Sequence, residues 1–230
     1  MSELLSILVP VYNEEATVGA VLERLLAIDL PVAREILVVN DGSTDGTRRV
    51  LDALPLQEDR LRIVHAAANG GKGHAIRIGF EQARGTIVAI QDADLELDPA
   101  ELAVLVQPIL AGDAAVVYGS RFLDGNAGAP WLTVAANRFL TFLTNALYGS
   151  RLTDMETCYK VMRTDVARAL RLEANRFDIE PEITAKLLRA GHRIVELPVR
   201  FEPRSRAQGK KIGWGDGVKA IQVLIKHRIT

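Results

Sequence analysis

At 230 residues, with 48% hydrophobic and 25% charged side chains, the chain can build one substantial core, and extended disorder is excluded. A formal net charge of −1 gives no reason to expect a nucleic-acid partner. The single cysteine, Cys158, rules out an intramolecular disulfide and a cysteine-rich zinc site, and fits a reducing, cytoplasmic compartment.

Leu4 to Val9 is a nearly continuous apolar run, the pattern of a buried parallel strand, and Pro10 is expected to stop it. A turn over Val11 to Glu15 leads into a helix reaching about Leu26, and Glu35 to Val39 reads as a second buried strand. Asn40 to Thr47 is a polar turn, followed by a helix over 47–54 and a third strand over 61–64. A glycine-rich loop, Asn69 to Gly73, opens a helix to about Arg84, and Thr86 to Gln91 forms a fourth strand ending at Asp92. The later half predicts a helix over 99–110, a strand over 114–118 and an apolar-rich helix over 131–148. A strand over 158–163, helices over 164–171 and 178–190 and a strand over 194–201 follow. A polar loop, 203–213, precedes a final helix to about Lys226.

Alternating strands and helices imply right-handed crossovers and an α/β fold with a mainly parallel sheet flanked by helices. Polar residues gather just beyond strands 4–9, 35–39 and 86–91, the edge at which open α/β sheets bind ligands. No apolar run reaches the roughly 18 residues of a membrane-spanning helix.

Several groups at that edge can carry chemistry. Asp92 and Asp94, one residue apart after a hydrophobic strand, can converge on Mg²⁺ or Mn²⁺ bridging a diphosphate, or can cap the helix that Pro99 opens. Asp41 can accept hydrogen bonds from a base or ribose, or can belong to a tight loop in which Asp45 caps the next helix. Tyr12 and Glu14 can face the same nucleotide, with helix-end electrostatics as the other reading of Glu14. Asn69-Gly70-Gly71-Lys72-Gly73 offers amides and a cation to phosphate but lacks the Walker spacing, and alone reads as a flexible turn. Arg121 suits a bidentate phosphate contact. Arg138 lies in an apolar helix, as a phosphate ligand or a snorkelling surface residue. Arg204, Arg206, Lys210 and Lys211 make the 203–213 loop basic, either solvated or able to close over an anionic substrate. Asp154 and Glu156 can serve a sugar hydroxyl, support a cation or form a turn. Cys158 reads as a buried thiol, and the scattered histidines supply no triad.

The segments Val9 to Glu15, Val39 to Thr47, Asn69 to Gly73, Asp92-Ala93-Asp94-Leu95, Gly119-Ser120-Arg121, Leu152-Thr153-Asp154, Phe177 to Glu182 and Gly209-Lys210-Lys211 come in an order that covers nearly the whole chain. Together they resemble the family-2 glycosyltransferases, in particular the dolichyl-phosphate mannose or glucose synthases and bacterial polyprenyl-phosphate glycosyltransferases. The resemblance implies one GT-A catalytic domain over 1–230, with a nucleotide-sugar half at 1–121 and an acceptor half at 122–230. It implies that Pro10, Tyr12, Glu14 and Asp41 line the base and ribose region. Asp94 would be the chief metal ligand, with Asp92 at the donor or metal. Arg121 would bind phosphate, and Arg138 and Arg204, with Lys210 and Lys211, the acceptor phosphate. Asn40 stands where an aspartate is common in that group, and residues 126–140 are poorer in arginine. The implied reaction is inverting transfer of a hexose from a UDP-sugar or GDP-sugar, UDP-glucose narrowly preferred over GDP-mannose, to polyprenyl phosphate, with Mg²⁺ or Mn²⁺. A relative acting on a saccharide or other hydroxyl is the alternative, with Asp154 or Glu156 the first residues to inspect as its base. Peripheral contact with the cytoplasmic membrane face, or a membrane partner, would bring the lipid within reach.

Overall fold

The computed structural model describes residues 3–54, 60–125, 128, 130–203 and 214–229. Its centre is a seven-stranded sheet in the order β3-β2-β1-β4-β6-β5-β7. The strands are β1 Leu4–Val11, β2 Ala33–Asn40, β3 Leu61–His65, β4 Ile87–Ile90, β5 Val116–Ser120, β6 Lys160–Arg163 and β7 Ile194–Pro198. β1 pairs in parallel with β2 and β4, β2 with β3 and β5 with β7, whereas β6 runs antiparallel between β4 and β5.

The expected architecture is therefore present, with differences in detail. Pro10 does not stop β1, which continues to Val11. The Leu8 carbonyl accepts from the Gln91 N–H on the β4 side. Pro10, two residues on, faces that same side beyond the end of β4, so its missing N–H breaks no ladder bond. The helix expected over 99–110 is instead a 3₁₀ turn at Pro99–Glu101 followed by two short helices, α4 Leu102–Leu105 and α5 Gln107–Leu110. Pro108 has no N–H for the Val104 carbonyl, and the helix breaks at Val106. The strand expected over 114–118 begins two residues later, at Val116, and the one expected over 194–201 ends at Pro198, apart from a lone bridge between Leu97 and Phe201.

The remaining helices are α1 Val18–Ala27, α2 Thr47–Asp52, α3 Lys72–Gln82, α6 Trp131–Tyr148, α7 Thr164–Ala169, α8 Ile179–Arg189 and α9 Trp214–Ile229. Strand side chains alternate between two cores. Leu5, Ile7 and Val9 of β1 and Ile87 and Ala89 of β4 join the layer containing α1, while Leu8, Val88 and Ile90 join the layer containing α3 and α8. α1 buries Val18, Val21, Leu22 and Leu25, one stripe at helical spacing, and each such side chain contributes about 1.5–3 kcal/mol. α6 and α9 close a third cluster around Leu140, Met155, Ala185, Ala220 and Leu224. None of the described helices is long and apolar enough to cross a membrane.

This topology places the site. The carboxyl ends of β1, β2, β4 and β5 share one edge, and the reversed β6 presents its beginning there instead. Its first residue, Lys160, lies opposite Tyr118 of β5.

Candidate active site

At the end of β2, the Asp41 carboxylate is 2% exposed and gathers the glycine-rich loop around itself. It accepts from the amide of Gly70 at 3.1 Å to each oxygen and from that of Gly71 at 2.6 Å, and His74 Nδ1 lies 2.9 Å away. The loop is thus a fixed cradle rather than a flexible turn, and its amides point at Asp41. Gly71 is essential to that geometry. Its φ is +98°, and a Cβ there would lie 2.3 Å from the Asn175 carbonyl oxygen. Gly71→Ala is expected to destabilise the fold by about 1–3 kcal/mol, read by urea denaturation.

Next to this cradle, β4 runs out into Gln91-Asp92-Ala93-Asp94. Gln91 is buried, its Oε1 accepting from the Tyr159 hydroxyl at 2.5 Å. Ala93 is 3% exposed, which anchors the turn between the two aspartates. Leu95 adopts φ +62°, a conformation rare for a leucine, and the Glu96 N–H donates to Asp94 Oδ1 at 3.1 Å. The aspartates have different surroundings. Lys72 Nζ lies 2.8 Å from Asp92 Oδ1 and 2.9 Å from Oδ2. Burial pushes the Asp92 carboxyl up, but the charge and hydrogen bond of Lys72 outweigh it and hold the group below its ordinary range. Lys72 is also 3.0 Å from Glu180 Oε1 at the start of α8. Burial works against its charge, and the two carboxylates raise its pKa well above the usual lysine value.

The wall beyond β5 is built on a second ion pair. Arg121 grips Asp154 in bidentate fashion, Nε to Oδ2 at 2.7 Å and Nη2 to Oδ1 at 2.8 Å, and its own N–H donates to Oδ2 at 3.1 Å. Asn137 of α6 donates to Asp154 Oδ1 at 3.2 Å, and the Asp154 side chain is fully buried. The guanidinium lies 5.1 Å from the centroid of the Phe201 ring. Burial opposes the Arg121 charge, yet the Asp154 hydrogen bonds hold it more firmly protonated than usual. Glu196 of β7 accepts from the amides of Thr153 and Asp154 at 2.8 and 3.0 Å, tying the same turn from the other side.

Glu156, two residues on, is in a different state. Its Oε1 is buried without a hydrogen-bond partner among the described residues. Burial first, then the neighbouring Glu180 carboxylate, push its carboxyl up to about 7. Cys158 is 7% exposed, and burial together with Asp92 drives its thiol well above the ordinary value, the inert state expected of it.

The other expected residues are distributed as follows. Pro10, Tyr12 and Glu14 stand half-buried at the end of β1. Glu14 Oε2 accepts from the Thr17 hydroxyl at 2.9 Å, and the side-chain Oδ1 of Asn13 accepts from the Thr44 amide at 2.8 Å, so the turns after β1 and β2 brace each other. Asp45 Oδ1 accepts the Thr47 amide at 2.9 Å, satisfying the first amide of α2 from one residue before its N-cap, Gly46. Arg138 is exposed on α6, on the same outer face as Trp131, Phe139 and Phe142. Arg204, Lys210 and Lys211 lie outside the described residues. Glu180, Lys160 and Glu196 were not among the expected residues. The signal for Lys160 was a lysine inside the run Cys158 to Met162, and for Glu180 a glutamate within an apolar helix start.

Comparison with known proteins agrees with this architecture. Residues 6–171 match glycosyl transferase family 2. The glycosyltransferase AglD of Haloferax volcanii is 32% identical over 98% of this chain, which spans only 38% of that protein. The undecaprenyl-phosphate mannosyltransferase of Micrococcus luteus is 30% identical, over 94% of this chain and 90% of its own length. Among solved structures, glucosyl-3-phosphoglycerate synthase of Mycobacterium tuberculosis, in complex with Mn²⁺, UDP and glucosyl-3-phosphoglycerate, superposes with a TM-score of 0.74 at 19% identity, covering 98% of this chain and 80% of that one. With its parallel strands converging on Asp41 and Asp92-Ala93-Asp94, this chain has the GT-A fold and belongs to glycosyl transferase family 2.

Proposed function

We propose that the chain transfers a hexose from a UDP- or GDP-linked donor to an acceptor hydroxyl, with Glu156 as general base. The observation that carries this reading is the Glu156 carboxyl, with its unpartnered buried oxygen and a pKa brought to about 7. A base is most effective when its pKa lies near the working pH. Asp154, the other candidate base, accepts from both arms of Arg121 and from Asn137, and serves to order the wall.

In this reading residues 1–121 form the donor half and 122–230 the acceptor half. Pro10, Tyr12 and Glu14 line the base and ribose, and Asp41 acts through the glycine loop it fixes. Asp94, with Asp92, would hold Mg²⁺ or Mn²⁺. The fit is chemical: both donors are carboxylates, which suit a hard cation whose shell is completed by diphosphate oxygens. Among the described residues no cluster of three His, Cys, Asp or Glu could hold a metal unaided. When bound, the cation supplies charge neutralisation at the diphosphate. The acceptor oxygen attacks the anomeric carbon as the bond from that carbon to the diphosphate oxygen breaks. The hydroxyl proton passes to Glu156, and the nucleoside diphosphate leaves. Lys72 adds positive charge beside the departing group.

A second reading, transfer to a polyprenyl phosphate, is favoured by a different observation. α6 exposes Trp131, Phe139 and Phe142 at 78%, 54% and 68%, on one face with Arg138. Such a face suits peripheral contact with a lipid surface. The names of the Micrococcus luteus relative and of the polyprenol monophosphomannose synthase of Mycolicibacterium smegmatis, 29% identical, point the same way. An acceptor phosphate is already anionic and needs no base. Arg138, Arg204, Lys210 and Lys211 would then bind it.

The test pits the two acceptors against each other. Protein with Mn²⁺ and UDP- or GDP-hexose is offered 3-phosphoglycerate and short sugar acceptors, or a short polyprenyl phosphate, and products are resolved by mass. For a hydroxyl acceptor, kcat is expected to rise with pH through about 7, because only the Glu156 carboxylate, the form present above its pKa, accepts the proton. Glu156→Gln should lower kcat by about 10²–10⁴-fold and abolish that limb. Product formed on the lipid phosphate alone, with a pH profile unchanged in Glu156→Gln, would overturn the first reading in favour of the second.

A further inference from the structure

Behind the aspartate pair runs a chain of charges whose buried members, Lys160 and Glu180, neither reading uses. Lys160, fully buried, has its ammonium 2.5 Å from Glu180 Oε2, 3.3 Å from the Met155 carbonyl and in contact with that of Thr157. It lies 4.8 Å from the centroid of the Tyr118 ring. Glu180 is 4% exposed, and its other oxygen meets Lys72 at 3.0 Å as an ion pair without the alignment of a hydrogen bond. Lys72 in turn reaches both oxygens of Asp92. An isolated ammonium or carboxylate would not persist at such burial, so each member depends on the next.

The order of charges has a consequence for the donor corner. Lys72 carries one positive charge and divides it between Asp92 and Glu180. Lys160 fixes Glu180 from the far side, so that Glu180 stays facing Lys72. Were Glu180 neutral, the whole of the Lys72 charge would fall on Asp92, and an arriving cation would have to displace a more tightly held ammonium.

We propose that Glu180 is a positioning residue for the donor site: by drawing off part of the Lys72 charge, it loosens the hold of Lys72 on Asp92, so that a divalent cation beside Asp94 can displace it. The proposal rests on the reading of Asp92-Ala93-Asp94 as the cation site. Lys160 is its support, and the pair connects the turn carrying Glu156 with the end of β4.

The test is a titration of Mn²⁺ with UDP present, following the EPR signal of free Mn²⁺, on variants whose folding is checked by circular dichroism. Glu180→Gln alone strands the Lys160 charge, so the informative variant is Glu180→Gln with Lys160→Met, which removes both buried charges together. It is expected to bind Mn²⁺ about tenfold more weakly than the parent, the scale of one partly screened charge interaction. Adding Lys72→Met should bring the affinity back to within about twofold, because Asp92 loses its competitor. A purely structural role for Glu180 predicts the opposite, a triple variant at least as impaired as the double. Parent-like Mn²⁺ binding in the double variant, or no recovery in the triple, would overturn the proposal. Binding that survives Asp94→Ala unchanged would instead refute the cation site itself.

Discussion

Asp94→Ala is expected to lower kcat by about 10²–10³-fold and to abolish the dependence of donor binding on Mn²⁺ or Mg²⁺, with little change in stability. The magnitude follows from its place in the reaction: loss of one preorganised group facing the developing diphosphate charge costs about 2.7–4 kcal/mol of transition-state stabilisation. The small stability effect follows from the local structure. Ala93 buries the turn and the Leu95 conformation shapes it, while Asp94 itself is only half-buried. Asp92→Ala should differ in kind. It removes the partner of Lys72 and leaves that ammonium to Glu180, so stability falls together with activity. Steady-state kinetics over a Mn²⁺ series, with urea denaturation of both variants, separates the cases. An Asp94→Ala enzyme with parental kcat and unaltered metal dependence would remove Asp94 from the reaction.

Asp154→Ala should have the larger effect on folding, about 3–5 kcal/mol of destabilisation, because it leaves the Arg121 guanidinium buried without its counter-ion. For a domain of this size that corresponds to a fall in Tm on the order of 10 °C. Three further donors lose their acceptor at once, since the Arg121 amide, the Asn137 amide group and the second arm of Arg121 all converge on the same carboxylate. Replacing both members, Arg121→Met with Asp154→Leu, should recover much of the loss, as removal of a whole buried pair often does. If Asp154→Ala lies within about 1 kcal/mol of the parent, the pair does not organise the wall, and Arg121 becomes available again as a direct phosphate ligand.

Arg121 faces Asp154 because the turn after β5 packs against the one that carries Asp154. Arg121 after a strand end and Asp154 in a polar turn were each recognisable as candidates, one for phosphate and one for a sugar hydroxyl. Their separation of 33 residues held no hint that each is the other's partner. Lys72 was likewise legible as a cation in a glycine loop. That two carboxylates hold it, one from β4 and one from α8, is decided by how α3 packs beneath the sheet.

The strands of the first half, the edge on which polar residues collect, the aspartate pair and the family are all legible in the residues alone. Buried parallel strands need unbroken apolar runs, and polar groups can leave them only at their ends, so both features are written locally. What only the tertiary structure decided was the direction of β6. A four-residue run of Lys-Val-Met-Arg has the same apolar content in either direction, and pairing is settled by the neighbours that β4 and β5 offer it. Because it runs backwards, its beginning rather than its end meets the carboxyl edge of the sheet. That reversal brings Cys158 and Lys160 to Asp92 and Glu156 to Glu180, and turns charges scattered along the chain into one connected network.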